Sequence, residues 1–174
     1  LSANGGGDPS VLNFVKALFL NPSFLAVHCY RRAHRLFGSQ KSWKRVMGRV
    51  FWRLAYSHCG CDISPRAEIG RRFQCVHPVG VVIGSGCVIG DDVHVYQNAT
   101  IGQQSQGSGF PVINEGATIG AGACVLGGVS IGAGVFVGAN AVVISDIPEG
   151  YNAVGVPAKP IRKNNKQRLN KVAA

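Results

Sequence analysis

Among the five histidines of this chain, His77 stands where a regular pattern breaks, and that placement is the first sign of chemistry. Between residues 63 and 148 an aliphatic residue returns every six positions: Ile63, Ile69 and Cys75, then Ile83, Ile89, Val95 and Ile101, then Ile113, Ile119, Val125, Ile131, Val137 and Val143. The spacing slips by two residues between Cys75 and Ile83, and His77 sits in the slip, followed by Pro78 and Gly80. An imidazole at an irregular corner is aimed outward. Imidazole, unperturbed near a pKa of about 6.5, can take a proton from a hydroxyl near neutral pH. The other histidine of the repeat, His94, follows Asp91, Asp92 and Val93 and reads as a surface residue. Two histidines at different positions of the hexad cannot complete a three-histidine zinc site. The run His58-Cys59-Gly60-Cys61 offers one Cys-x-Cys and no second ligand pair, so entry into the first strand accounts for it better, and no metal is expected.

The elements that must position His77 follow from the period. Six fits neither the 3.6 of an α-helix nor the 2 of an alternating strand. It is the hexapeptide signature of a parallel β-helix, in which three hexads make one triangular coil and each aliphatic residue stacks under its equivalent. Four places behind the aliphatic positions come small residues or valine: Ala67, Val79, Cys87, Val93, Ala99, Ala117, Ala123, Val129, Val135 and Ala141, with Phe73 and Ile147 as larger variants. Glycine follows Ile69, Ile83, Ile89, Ile101, Ile119 and Ile131, and is expected to relieve an awkward φ at the corners. The prism interior is then filled, so chemistry must occur outside, in grooves between prisms. Parallel packing of three prisms gives three equivalent grooves walled by two chains each.

The fold class expected is mainly β: a parallel β-helix with a short α-helical N-terminal segment. Residues 1–9 read as a flexible leader, 10–60 as helices, 61–163 as the β-helix domain and 164–174 as a basic tail. Ser10 can cap a helix over 11–20. Asn21 with Pro22 starts another that Gly38 ends, and Ser42 can cap a third. Its face Trp43, Val46, Met47, Val50, Phe51, Leu54 and Ala55 keeps i, i+3, i+4, i+7 spacing, with Lys44, Arg45, Arg49 and Arg53 off it. Residues 103–112 lack the repeat and are expected to leave the coil as a protruding loop, and 149–163 to wind back over the last coil.

The formal net charge of +10 is unevenly placed. Residues 9–61 carry nine Lys or Arg and no acid, residues 73–158 carry five acids and no Lys or Arg, and residues 159–174 carry six cations. Two readings of the basic helices stay open: the stripe packs on the first coil with its cations in water, or it makes a peripheral contact with an anionic membrane. Nucleic-acid binding has no motif behind it. Six cysteines would pair only in an oxidising setting, yet Cys75 and Cys87 fall on inward positions where a reduced thiol packs as an apolar group. With no charged-then-apolar leader segment, a cytoplasmic protein, touching at most the inner face of the membrane, is expected.

Particular stretches resemble the serine acetyltransferase family of hexapeptide acyltransferases: Asp62-Ile63, Ile69-Gly70, His77-Pro-Val-Gly-Val-Val-Ile-Gly84, Gln97-Asn-Ala-Thr-Ile-Gly102, Ile119-Gly-Ala-Gly-Ala123 and Gly155-Val-Pro-Ala-Lys159. The likeness covers about residues 61–163. It implies a left-handed β-helix, a homotrimer with its sites between subunits, and acetyl transfer from acetyl-CoA to a hydroxyl. By the resemblance, His77 is the general base and Asp62, fifteen residues before it, the carboxylate that orients it. A carboxylate on the second ring nitrogen fixes the tautomer and stabilises the imidazolium as it forms. The same likeness places the pantetheine arm beside Gly102, Ala121 and Ala139, and makes Lys159 and Arg162 candidates for the CoA phosphates.

Two features depart from the family. Its members carry a long helical N-terminal domain, where about fifty residues stand here, and a histidine before a proline in the protruding loop, where this chain has Phe110 before Pro111. An aromatic ring favours stacking on a sugar face over holding a zwitterion. The acceptor expected on that ground is the hydroxyl of a sugar or polysaccharide precursor, with Phe110 and Gln97 as acceptor-binding residues. Serine itself is the alternative, and a non-catalytic trimeric scaffold the third reading.

Overall fold

The computed structural model describes residues 20–163 together with residues 13, 16 and 17. The expected leader, the Ser10 cap and the basic tail lie outside the described residues. Among the described residues two helices with defined bounds, α1 (Pro22–Phe37) and α2 (Ser42–Cys59), precede fifteen short strands. Asn21 caps α1 as expected, its side chain accepting from the Phe24 amide at 3.1 Å. The cap of α2 is Lys41, without a side-chain hydrogen bond, so Ser42 falls one place inside the helix. The helices cross closely at Gly48, where a Cβ would meet the Phe37 ring.

The strands form three parallel faces. One holds β1 (Asp62–Ile63), β4 (Val82–Ile83), β7 (Thr100–Gly102), β10 (Cys124–Leu126) and β13 (Val142–Val143). A second holds β2 (Glu68–Ile69), β5 (Val88–Ile89), β8 (Val112–Ile113) and β11 (Ser130–Ile131). The third runs β3 (Gln74–Cys75), β6 (His94–Val95), β9 (Thr118–Ile119), β12 (Phe136–Val137), β14 (Tyr151–Gly155) and β15 (Ala158–Arg162). The hexad residues lie in register, Ile63 under Ile83 under Ile101 under Val125 under Val143, and all are buried. The solenoid expected from the period of six is therefore present. Its last turn differs from expectation, because β14 continues the parallel wall over β12 and only β15 reverses, antiparallel to β14.

The slip has a physical consequence. Asp62 pairs with Val82, so the first coil is twenty residues long where the next, Val82 to Thr100, is eighteen. The two extra residues bulge at the corner holding His77 and Pro78. Val81, fully buried, therefore takes the inward place expected for Val79, which is 63% exposed. The glycines after the isoleucines also serve a different purpose from the one expected. None of them has a positive φ. Four of them, Gly70, Gly90, Gly120 and Gly132, sit where successive coils nearly touch: a Cβ on Gly120 would lie 2.7 Å from the Val137 carbonyl oxygen. Left-handed corners fall instead to other residues, among them Gly80, Asn98 and Gly122.

α1 is tied to the first coil by polar contacts with backbone carbonyls. The Tyr30 hydroxyl donates to Ala67 at 2.7 Å, Ser23 Oγ to Val76 at 2.8 Å, and the Arg31 guanidinium to Ile69 and Gly70. α2 turns Ala55 and Cys59 inward. Trp43, Val46, Met47 and Val50 remain exposed, so packing of the whole apolar stripe on the first coil is corrected: only its Phe51, Leu54 and Ala55 end reaches the core. No described helix is long and apolar enough to cross a membrane.

Candidate active site

Two residues past the register partners Cys75, Val95, Ile119 and Val137 lie His77, Gln97, Ala121 and Ala139. Gln97, Ala121 and Ala139 stack up one edge of the prism, and His77 lies in the bulge at its foot, 62 positions before Ala139. Backbone bonds between coils hold the stack: Asn140 N–H donates to the Ala121 carbonyl at 2.8 Å, Gly122 N–H to that of Gln97 at 2.9 Å and Asn98 N–H to that of Val79 at 2.9 Å, so Val79 lies directly under Gln97 and His77 in the bulge just before it. His77 is exposed at the foot of the edge, its ring edge-on to Tyr96 with centroids 6.4 Å apart. Ser23 fastens the Val76 carbonyl immediately before it. The side-chain oxygen of Gln97 is buried and has no hydrogen-bond partner, an arrangement that costs free energy unless a donor arrives from outside.

Asp62 lies one coil down, on the wall that the His77 corner leads into. The fifteen residues from Asp62 to His77 are one twenty-residue coil less five. No hydrogen bond joins Asp62 to His77. Asp62 Oδ1 instead accepts from the indole Nε1–H of Trp52 on α2, at 2.9 Å. Trp52 and Tyr96 were not singled out from sequence. An aromatic followed by two polar residues within a hexad marks Tyr96 only weakly, and no local pattern ties Trp52 to a residue ten places later.

The other expected residues separate. Gly102 ends β7, paired with Leu126, and lies along the next edge, where a Cβ would meet no atom within 4 Å. Lys159 and Arg162 are exposed on β15, at the far end of the face that feeds the stack. The loop spans 103–111 and is pinned by Ser108, whose Oγ accepts from the Gln104 and Ser105 amides at 3.0 and 3.1 Å. Phe110 does not offer a free stacking face. Its half-buried ring lies over Gly84 and Gly86, so close that a Cβ on Gly86 would strike it, and it packs against the core.

A cysteine nucleophile does not fit this site. Burial pushes the Cys61 and Cys75 thiols up to about 12 and those of Cys29 and Cys87 up to about 11. At neutral pH they stay protonated and inert. Among the described residues no group of three or more His, Cys, Asp or Glu is arranged to hold a metal. What remains is an imidazole on an open edge floored by small residues, an arrangement suited to direct proton abstraction from an incoming hydroxyl.

A solenoid of hexads with a histidine at an open corner defines the class of hexapeptide-repeat transferases. Residues 110–145 match the family pattern described as bacterial transferase hexapeptide (six repeats). The chain is 42% identical to a serine acetyltransferase of Helicobacter pylori, over 90% of this chain and 91% of that protein. Among solved structures it is similar to soybean serine acetyltransferase complexed with serine (34% identity, TM-score 0.77). It is also similar to the Brucella abortus serine acetyltransferase in complex with coenzyme A (30% identity, TM-score 0.78). It is covered to 90% in both matches, and spans 64% and 62% of those two chains. This chain belongs to the serine acetyltransferase family. The expectation of a sugar acceptor is thereby overturned: it rested on Phe110, whose ring is spent on packing, and relatives along nearly the whole chain are serine acetyltransferases.

Proposed function

We propose that this protein is an acetyl-CoA-dependent serine O-acetyltransferase. The observation that carries the reading is the outward His77 at the foot of an edge of small residues, in a chain 42% identical to a serine acetyltransferase over nearly its full length. Serine reaches the edge with its hydroxyl toward His77 and its ammonium toward the unpartnered Gln97 oxygen. His77 takes the hydroxyl proton as the oxygen attacks the thioester carbonyl of acetyl-CoA. The tetrahedral adduct collapses, the C–S bond breaks, and the imidazolium returns the proton to the departing thiolate. Asp62 orients the ring and stabilises its charged form. Such a base is worth about 10²–10⁴ in rate.

The pantetheine arm runs past Ala121 and Ala139, with Lys159 and Arg162 toward the CoA phosphates. Gly102 lies on a different edge from His77, which fits a groove between two chains, one edge from each, in a homotrimer. The test is release of free CoA from acetyl-CoA with L-serine, followed with a thiol reagent. Turnover of several per second that is lost in His77→Ala is expected. Turnover no greater than that of His77→Ala overturns the reading.

A further inference from the structure

Trp52 is placed unlike a packing residue. It is half-buried on α2, and an indole N–H removed from water needs an acceptor. The acceptor it finds is the Asp62 carboxylate on the first strand, giving a charge-assisted bond of 2.9 Å. That bond occupies Oδ1 and is the only hydrogen bond Asp62 makes through its side chain among the described residues. A carboxylate fixed through one oxygen can no longer spin about its Cβ–Cγ bond, so the direction of the other oxygen is set as well. The helix itself is seated independently, by Ala55 and Cys59 in the core and by its close crossing with α1 at Gly48. The Trp52–Asp62 bond is therefore not needed to hold α2 in place.

We propose that Trp52 is a positioning residue of the acetyl transfer, holding Asp62 by Oδ1 so that Oδ2 is presented to the His77 imidazole. This rests on the His77–Asp62 pairing of the proposed function. It makes α2 part of the reaction machinery as well as a lid on the prism. Arg49, Arg53 and Tyr56 of the same helix line the cavity of about 710 Å³ that Trp52 and Asp62 share, and His58 stands near the helix end. Facing them from the coil, the register neighbour of Asp62 is Val82, which does not titrate.

The chain has two tryptophans, so ¹⁵N-labelled protein shows two indole N–H resonances, and Trp52→Phe assigns them. The Trp52 resonance is expected to move as the pH of the sample is varied, and to stop moving in His77→Ala and in Asp62→Asn. A resonance that stays still, or that moves just as far in His77→Ala, overturns the proposal. This readout needs no acceptor, so absence of serine turnover would count against the proposed function alone. In turnover assays Trp52→Phe keeps an aromatic side chain and removes the donor. It should lower kcat about ten- to a hundredfold, as misplaced catalytic groups do, with both KM values within twofold. In an Asp62→Asn background the same change should cost almost nothing. Equal fractional losses in the two backgrounds would reduce Trp52 to a packing residue and end the proposal.

Discussion

One chemical change, glycine to alanine, should have opposite consequences at Gly120 and Gly102. Both positions lack a positive φ, so an added methyl meets no backbone strain at either. At Gly120 the methyl would sit 2.7 Å from the Val137 oxygen, 2.8 Å from the Ala139 nitrogen and 2.9 Å from the Gly138 carbon. These are backbone atoms of the next coil and cannot rotate aside, so the coils must spread. Overpacking of this kind costs about 1–3 kcal/mol, and three contacts put it near 3. The smaller chain entropy of alanine offsets about 0.4–1 kcal/mol. The net loss is about 2 kcal/mol, or a fall in Tm of about 4–8 °C for a chain of this size. At Gly102 no atom lies within 4 Å, so the entropic gain stands alone and Tm should hold or rise slightly. Scanning calorimetry at matched protein concentration decides. A Gly120→Ala protein melting with the parent, or a Gly102→Ala protein falling as far, would refute the close-approach account of these glycines.

Further outcomes follow from the same geometry. Gly102→Ala should raise the KM for acetyl-CoA by severalfold at nearly constant Tm, read by initial rates; unchanged kinetics would remove Gly102 from the cofactor path. His77→Ala should lose about 10²–10⁴ in kcat with an unaltered melting profile and elution volume; retained activity would place the base elsewhere. Val81→Ser should destabilise by about 2–3 kcal/mol through a buried, unpaired hydroxyl, whereas Val79→Ser should be neutral, measured by urea unfolding. The buried thiols set a pH expectation. Each raised pKa means the thiolate is disfavoured in the fold, so the unfolded chain, with ordinary thiols, releases protons first. Stability is then unaffected below about pH 8 and lost as pH climbs past the ordinary thiol range. Alkylation of native protein at pH 8 should accordingly spare Cys29, Cys61, Cys75 and Cys87 and modify all six cysteines after denaturation, as counted by mass spectrometry.

The solenoid was legible because every inward residue repeats one requirement, an aliphatic side chain stacked on its equivalent. Period and burial agree from Ile63 to Val143. His77 could be found as an interruption of that repetition. Val79 was misassigned because periodicity counts residues and cannot say on which side of a corner two extra ones are accommodated. Phe110 was misread because an aromatic in a loop looks free until the wall of glycines beneath it, Gly84 and Gly86, is seen. The exposed run from Trp43 to Val50 shows a similar limit: helical spacing locates an apolar face but does not say what, if anything, covers it. The tie from Trp52 to Asp62 joins two elements through one hydrogen bond, and no spacing rule encodes such a contact.

The closing hairpin bears on solubility. Parallel coils add indefinitely in principle, since each top layer offers unpaired amides and carbonyls to whatever strand comes next. On the longest face, β15 runs the other way over β14, and Lys163 clamps the turn below through its amide to Gly150 and its ammonium to Gly134. Proline 160 sits in that outermost strand and removes one donor from its rim. At the opposite end the two helices shield the first layer. Growth by stacking one molecule on another, the route to fibres, is opposed on this face by a strand that runs against the repeat and at the other end by the helices.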